Sequence, residues 1–214
     1  MATGTTKTNK KEDKPKGYFK YVLAMDCETG GVALGCDDPS YDPDTKKMYP
    51  SISWGIVILD GATLKEVDHL YLEIKPSDDY TWDAGTEKVH GLTYDYLKKN
   101  GLEEEEAVMK IASLIIKYWG PDSFITVLGH NVMFDMWFLK RLMRRHDIHL
   151  SFSNRIIDTN SLGYVLLETY TSDELFDKIG LPERENHNAL EDIRHTVKVA
   201  KHVRKIFQMS ILGE

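Results

Sequence analysis

The sequence predicts an α/β fold built on one mixed five-stranded sheet flanked by helices, and three observations carry that expectation. Three short apolar runs come first and in succession, Tyr21 to Met25, Ser51 to Asp60 and Leu70 to Lys75. From Tyr94 onward the apolar spacing turns helical, with start and stop residues in the expected places. Two further strand-like runs, Phe124 to Leu128 and Arg155 to Asp158, then return between helical stretches. Three antiparallel strands followed by two parallel strands linked through helices satisfy that order.

Each element has its own justification. Tyr21 to Met25 (YVLAM) is continuously apolar, as suits a strand buried on both faces, and it runs directly into Asp26. Ser51 to Asp60 (SISWGIVILD) ends in the turn signal Asp60-Gly61, and the short connector makes Leu70 to Lys75 its antiparallel partner. Tyr94 to Lys99 stops at Asn100-Gly101, and Glu103 to Trp119 begins acidic and stops at Gly120-Pro121. After the Phe124 to Leu128 strand, a helix from about Phe134 to His146 ends in basic residues, which the helix dipole favours. Beyond the fifth strand come a helix through Leu162 to Glu168, a second opened by Thr171 with Glu174 as capping-box partner and stopped by Gly180 and Pro182, and a last one through Asn188 to Phe207. This order is the layout of the ribonuclease H-like fold, which by itself does not fix a function.

Length and composition narrow the classes. With 214 residues, 42% hydrophobic and 29% charged, the chain fits one globular domain over residues 18–210, preceded by a flexible, lysine-rich leader at 1–17. That leader lacks the apolar segment of a signal peptide and is expected to be dispensable. No apolar run approaches the roughly 18 residues of a membrane span, so no membrane association is expected. Two cysteines, Cys27 and Cys36, outside any C-x-x-C spacing argue against a disulfide framework or zinc site and fit a reducing, cytoplasmic setting, bacterial or virus-encoded. Residues 1–20 hold six lysines against two acids, a balance of +4 within a net charge of −7, so the other 194 residues carry −11. An acidic body of this kind argues against binding nucleic acid through a broad basic face, but it suits an enzyme whose acids hold cations.

Three groups of residues carry the chemistry. Asp26 and Glu28 close the first strand, where residues i and i+2 share a face, while Cys27 points the other way. Two such acids repel unless a cation lies between them, and hard carboxylate oxygens favour Mg²⁺ or Mn²⁺. The second group is Gly129 to Asp135 (GHNVMFD), placed where a strand hands over to a helix; Asp135 by itself also fits a helix N-terminal acid. The third is His187 to Asp192 (HNALED), whose histidine meets Asp192 only if it sits on the loop before the last helix.

Together, Asp26, Glu28, Asp135, His187 and Asp192 resemble the motifs of the DEDDh (DnaQ-like) family of 3′→5′ exonucleases, similar to the proofreading subunit of bacterial DNA polymerase and to ribonuclease T. Val89-His90-Gly91-Leu92-Thr93 resembles the family's H-G-[IL]-T segment, Ile157-Asp158-Thr159 its I-D-T, and His187-x-Ala189-x-x-Asp192 its third motif. The resemblance spans Tyr21 to Phe207. It implies that Asp26, Glu28, Asp135 and Asp192 hold two Mg²⁺, for which Mn²⁺ substitutes, and that His187 is the general base. It further implies that Thr29 and Gly30 lie against the terminal nucleotide, that His90 contacts it from the far side, and that Asn131 and Phe134 shape its pocket. The implied substrate is a single-stranded or 3′-end nucleic acid, DNA ahead of RNA, and the implied partner is a polymerase or repair complex. Oligomeric state is open. An exoribonuclease of the ribonuclease T or oligoribonuclease type is the alternative, and a non-catalytic nucleic-acid-binding or polymerase-accessory subunit is the alternative of another class.

Two further expectations concern substrate contacts. Lys140, Arg141, Arg144 and Arg145, with Arg194, Lys198, Lys201 and Arg204, form basic helix faces that could meet phosphates. The stretch between Gly31 and Ser51 is longer than the family's usual first connection. Its Tyr41 and Tyr49 could stack on bases, and Val32 or Leu34 could wedge a terminal base pair.

Overall fold

The computed structural model describes residues 18–33, 47–121, 123–182 and 187–212. The leader at 1–17, and Leu34, Cys36 and Tyr41 of the long first connection, lie outside the described residues. Five strands, β1 (Tyr21–Thr29), β2 (Ser51–Asp60), β3 (Glu66–Glu73), β4 (Val127–Gly129) and β5 (Ile157–Asp158), form one sheet in the order β3-β2-β1-β4-β5. β1 pairs antiparallel with β2, and β2 with β3; β1 pairs parallel with β4, and β4 with β5. This is the mixed sheet of the ribonuclease H-like fold. The helices are α1 (Glu87–His90), α2 (Tyr94–Asn100), α3 (Glu104–Trp119), α4 (Val132–Arg144), α5 (Thr159–Leu166), α6 (Ser172–Lys178) and α7 (Ala189–Leu212).

Strand alternation divides the core in two. Leu23, Met25 and Cys27 of β1, with Trp54, Ile56 and Ile58 of β2, pack against Ile111 of α3 and Phe138 and Leu139 of α4. Val22 and Ala24, with Val57 and Leu59, face Ile193, Val197 and Ala200 of α7. Asp26 and Glu28 continue the even-numbered series and therefore belong to the α7 side of the sheet, opposite Cys27, as their spacing predicts.

Several boundaries differ from expectation for local reasons. β1 continues through Asp26 to Thr29 because β2 keeps pairing with it that far. β3 begins at Glu66, since the tight turn after Asp60 lets pairing start at once. The Phe124 to Leu128 run is split: Phe124 is exposed, Ile125 makes only an isolated bridge to Phe152, and the laddered strand is Val127–Gly129. α4 starts at Val132 and α5 at Thr159, earlier than their apolar spacing suggests, because the Asp158 carboxylate accepts from the amides of Asn131, Val132 and Asn160 at 3.0, 3.2 and 2.9 Å. α6 forms only half of its capping box. Thr171 Oγ1 accepts from the Glu174 amide at 3.4 Å, while the Glu174 carboxylate takes the Thr169 hydroxyl instead. Among the described residues no helix is long and apolar enough to cross a membrane.

Candidate active site

β4 ends at Gly129, so β1 loses its parallel neighbour beyond Ala24, where the ladder with Leu128 stops. The β1 amides that face β4 then need another acceptor. Asp135, in the first turn of α4, supplies it: its Oδ1 accepts from the Cys27 amide at 2.9 Å. The acid from the α4 side thus reaches through the gap to the pair on the α7 side. Asp135 is therefore not the helix cap; that place belongs to Asn131, whose left-handed backbone (φ 55°, ψ 45°) turns the chain out of β4 into α4. Asparagine is one of the few residues that adopt this conformation readily.

The last helix enters from the other side. Asn188 Oδ1 accepts from the amides of Leu190 and Glu191 at 3.1 and 3.2 Å and so caps α7, which leaves His187 on the loop just before it. The His187 amide donates to the Val89 carbonyl at 3.2 Å, tying that loop to α1. In this position His187 Nδ1 stands 3.3 Å from Asp192 Oδ2. Gly55 of β2 makes the approach sterically feasible. It pairs with Asp26, and a β-carbon on it would overlap the backbone of Ala189 and Leu190. The sequence carried a signal for this close contact, a lone glycine inside an apolar strand.

One cleft of about 180 Å³ gathers Asp26, Glu28, Asp135, His187 and Asp192, together with Cys27, His130, Asn131, Phe134, Ser172, Phe176 and Thr196. All five residues expected to act together are in it, with Asn131 and Phe134. Thr29, Gly30 and His90 are not among its lining. Gly30 donates its amide to the Pro50 carbonyl and accepts from the Asp83 amide, at 2.9 and 2.8 Å, beneath the Trp82 ring. His90 is buried, with Nδ1 accepting from the Leu92 amide at 3.1 Å, and its burial holds its pKa below the ordinary imidazole value. The I-D-T segment acts from behind: besides the Asp158 contacts, Thr159 Oγ1 lies 3.1 Å from His130 Nδ1 and donates to the Gly129 carbonyl at 3.2 Å.

The electrostatics test whether a cation fits. Glu28, Asp135 and Asp192 are buried, and no lysine or arginine appears among the described residues lining the cleft. Burial pushes the Asp135 carboxyl well above the ordinary carboxylate range, against the hydrogen bonds from Cys27 and with a smaller push from the nearby Glu28 charge. The Cys27 thiol is pushed up by burial and then by Asp135, Asp26 and Glu28, so it stays protonated and inert. Ligand atoms of Glu28, His187 and Asp192 all lie within 4.8 Å of one another. Buried acids gathered with no lysine or arginine among the described lining form a donor set that fits a hard divalent ion.

The basic helix faces have other work. Arg141 is buried between the Tyr80 and Phe138 rings and donates to the Tyr49 carbonyl. Arg145 pairs with Glu104 and Asp79, Lys140 lies over Trp137 and Phe152, Arg194 pairs with Glu66, and Arg204 donates to the Ala62 carbonyl. Burial takes Arg141 out of the set expected to meet phosphates, while Arg144, Lys198 and Lys201 are exposed. Tyr49 is likewise buried, its ring against Gly31, and is not placed to stack on a base. Val32 is exposed at the strand exit, as a wedge would need.

Residues 23–200 match the exonuclease family RNase T. The chain belongs to this exonuclease family. It is 30% identical over 193 residues to a PolC-type DNA polymerase III of Thermotoga maritima, covering 89% of this chain and 12% of that protein. The corresponding Thermotoga petrophila polymerase is 29% identical over 171 residues, covering 78% of this chain and 11% of its own length. The chain thus spans only a small part of the curated relatives it matches. Among solved structures, Escherichia coli exonuclease I in complex with a dT13 oligonucleotide superposes with a TM-score of 0.71 at 19% identity, covering 91% of this chain and 43% of that one. The nuclease domain of 3′hExo, a DEDDh family member bound to rAMP, gives 0.66 at 15% identity over 88% and 94% of the two chains. At these identities the likeness establishes the exonuclease fold.

Proposed function

We propose that the chain is a divalent-metal-dependent 3′→5′ exonuclease that hydrolyses the terminal phosphodiester of single-stranded DNA and releases nucleoside 5′-monophosphates. The observation that carries this reading is the convergence of Asp26, Glu28, Asp135, Asp192 and His187 on one cleft. Membership of the exonuclease family supports the reaction class, and the DNA polymerase relatives favour DNA over RNA and a place beside a polymerase.

The four carboxylates would hold two Mg²⁺ or Mn²⁺. When bound, these ions supply charge that stabilises the attacking and leaving oxygens. His187 takes the proton of the attacking water. With Nδ1–H directed at Asp192 Oδ2, 3.3 Å away, the basic lone pair lies on Nε2, and the carboxylate stabilises the imidazolium that forms. Asn131 and Phe134 shape the pocket, Thr29 and Gly30 border the terminal nucleotide at the exit of β1, and the Val89 carbonyl, next to His90, anchors the His187 amide. A non-catalytic scaffold would have no use for buried acids gathered in one cleft with no lysine or arginine among its described lining.

The test is paired digestion of 5′-labelled single-stranded DNA and RNA of one sequence, with Mg²⁺, with Mn²⁺ and in EDTA. Shortening from the 3′ end with 5′-monophosphate products and none in EDTA is expected. Products with 3′-phosphates, or full activity in EDTA, would refute the proposal; faster RNA digestion would transfer it to the exoribonuclease alternative.

A further inference from the structure

The C-terminal turn of α5 is apolar over more than half of its circumference. Tyr164, Val165 and Leu166 follow one another on a helix and so span roughly 200° of its circumference, which no single packing face can cover. They are 68%, 73% and 52% exposed, and Tyr170 in the turn that follows is 60% exposed. The hairpin that carries them is nevertheless held in place. Gly163 packs against Leu175 of α6, Asn160 Nδ2 donates to the Tyr170 carbonyl at 3.0 Å, and Lys178 donates to the Leu167 carbonyl. Asn160 lies one turn below Tyr164, so this bond brings the Tyr170 backbone up to the same face of α5. Single exposed apolar residues are ordinary, whereas four neighbours on a fixed hairpin mark an interaction surface.

Charge indicates what covers it. The exposed charged residues of the following stretch are Glu168, Asp173, Glu174 and Asp177, with Lys178 already turned to the Leu167 carbonyl. The Tyr164 and Tyr170 rings alone would suit a nucleobase, but such a rim repels the phosphate backbone that comes with it, so charge favours a cationic occupant. Tyr170 stands two residues before Ser172, which lines the cleft, so the occupant would sit at the cleft's lip. We infer that the α5–α6 hairpin is the docking surface for a protein segment, an amphipathic helix with an apolar centre and lysine- or arginine-bearing flanks. Asp173 and Asp177 line a cavity that His187 also borders, so the surface adjoins the proposed catalytic residues, while Tyr164, Val165, Leu166 and Tyr170 are not among the described lining of that cavity or of the cleft.

The probe is a fluorescein-labelled amphipathic helical peptide of leucine and lysine, compared with a leucine and glutamate counterpart, in anisotropy titrations against the full chain at physiological salt. The native chain should bind the basic peptide and not the acidic one. The double variant Val165→Ser/Tyr170→Ser should weaken binding by about 10-fold or more, and Glu168→Gln by a smaller factor, without changing Tm or the hydrolysis of p-nitrophenyl thymidine 5′-monophosphate. If the serine pair lowers Tm, Val165→Thr alone serves in its place. Unchanged affinity in the apolar variant, or equal binding of the acidic peptide, would overturn the inference. So would a dimer in sedimentation that the variant dissolves, which gives the face to a second copy, or loss of oligo-dT affinity in the variant, which gives it to the substrate.

Discussion

The acids of this protein live in two regimes. On the surface, Glu66 lies 2.9 Å from Arg194, Asp68 2.7 Å from Lys117, Asp78 2.6 Å from Lys98 and Glu104 2.9 Å from Arg145. In the cleft, Glu28, Asp135 and Asp192 are buried, with no lysine or arginine among the described lining residues. Both regions use the same functional group. Pairing with a side-chain cation in water lowers the pKa of Glu66 and Asp68, first through the hydrogen bond from their partner, whereas burial raises that of Asp135. The contrast teaches that the fold withholds its own cations from the place where the proposed chemistry needs foreign ones, and accepts a loss of stability there.

The sharpest way to break that comparison is to neutralise one cleft acid. Asp192→Asn and Asp135→Asn should each lower the rate of 3′-end cleavage by about 10³-fold or more, because both proposed ions must be placed correctly for either to help. Their losses should not add in the double variant. In EDTA the same substitutions should leave Tm equal or higher, since each removes a buried charge. A variant with substantial residual cleavage, or with a lower Tm in EDTA, would dissolve the distinction between the two regimes.

A second effect is expected from metal itself. Mn²⁺ at about 100 times its dissociation constant should stabilise the native chain by roughly 2.7 kcal/mol, seen as a rise in Tm that Asp135→Asn reduces. Asp68→Asn, which removes a surface charge shared by Lys117 and the Tyr118 hydroxyl far from the cleft acids, should leave the Mn²⁺-dependent rise intact. An equal loss in both variants would mean that the ion binds elsewhere.

How much of this was readable beforehand follows from the range of the interactions. Ser51 to Asp60 was a strand on its own composition, and the i, i+2 spacing of Asp26 and Glu28 put both on one face whatever the rest of the fold did. His187 needed only the cap at Asn188 beside it. Arg141 read as one member of a basic run because the rings that bury it include Tyr80, from a distant segment. The hold of Cys27 on Asp135 depends on where β4 stops, and the contact of Gly55 with Ala189 depends on how α7 crosses the sheet. Local periodicity carries neither. The helix α1 leaves no mark in the sequence pattern because its four residues are too few to show a period.

Titration separates the regimes further. An acid whose folded pKa is raised binds more protons when folded than when unfolded, so stability falls as pH rises between the two values. For Asp135 that window opens near the ordinary carboxylate value of about 4 and extends upward toward neutrality. In EDTA, native Tm should therefore decline over this interval, and Asp135→Asn should flatten the decline. Saturating Mn²⁺ should flatten it too, because the ion favours the ionised carboxylate. A Tm that climbs steadily across the window in the absence of metal would contradict the buried-acid account.

The smallest effect is expected where the chain supplies its own cation. Arg194 reaches Glu66 through two nitrogens, at 2.9 and 3.1 Å, and joins α7 to β3 some distance from the cleft. Both side chains keep about a third of their surface in water, so the geometry is good but the screening is strong. A double-mutant cycle with Glu66→Gln and Arg194→Gln should give a coupling of about 0.5 kcal/mol, diminishing as salt is raised. Cleavage should remain within about two-fold of native in all three variants, since no proposed ion or reacting atom is touched. A coupling of several kcal/mol would show that this surface pair is as consequential as a buried one. A large loss of cleavage would show that the α7 register, and with it Asp192, is set at the β3 edge and not only by the contact at Gly55.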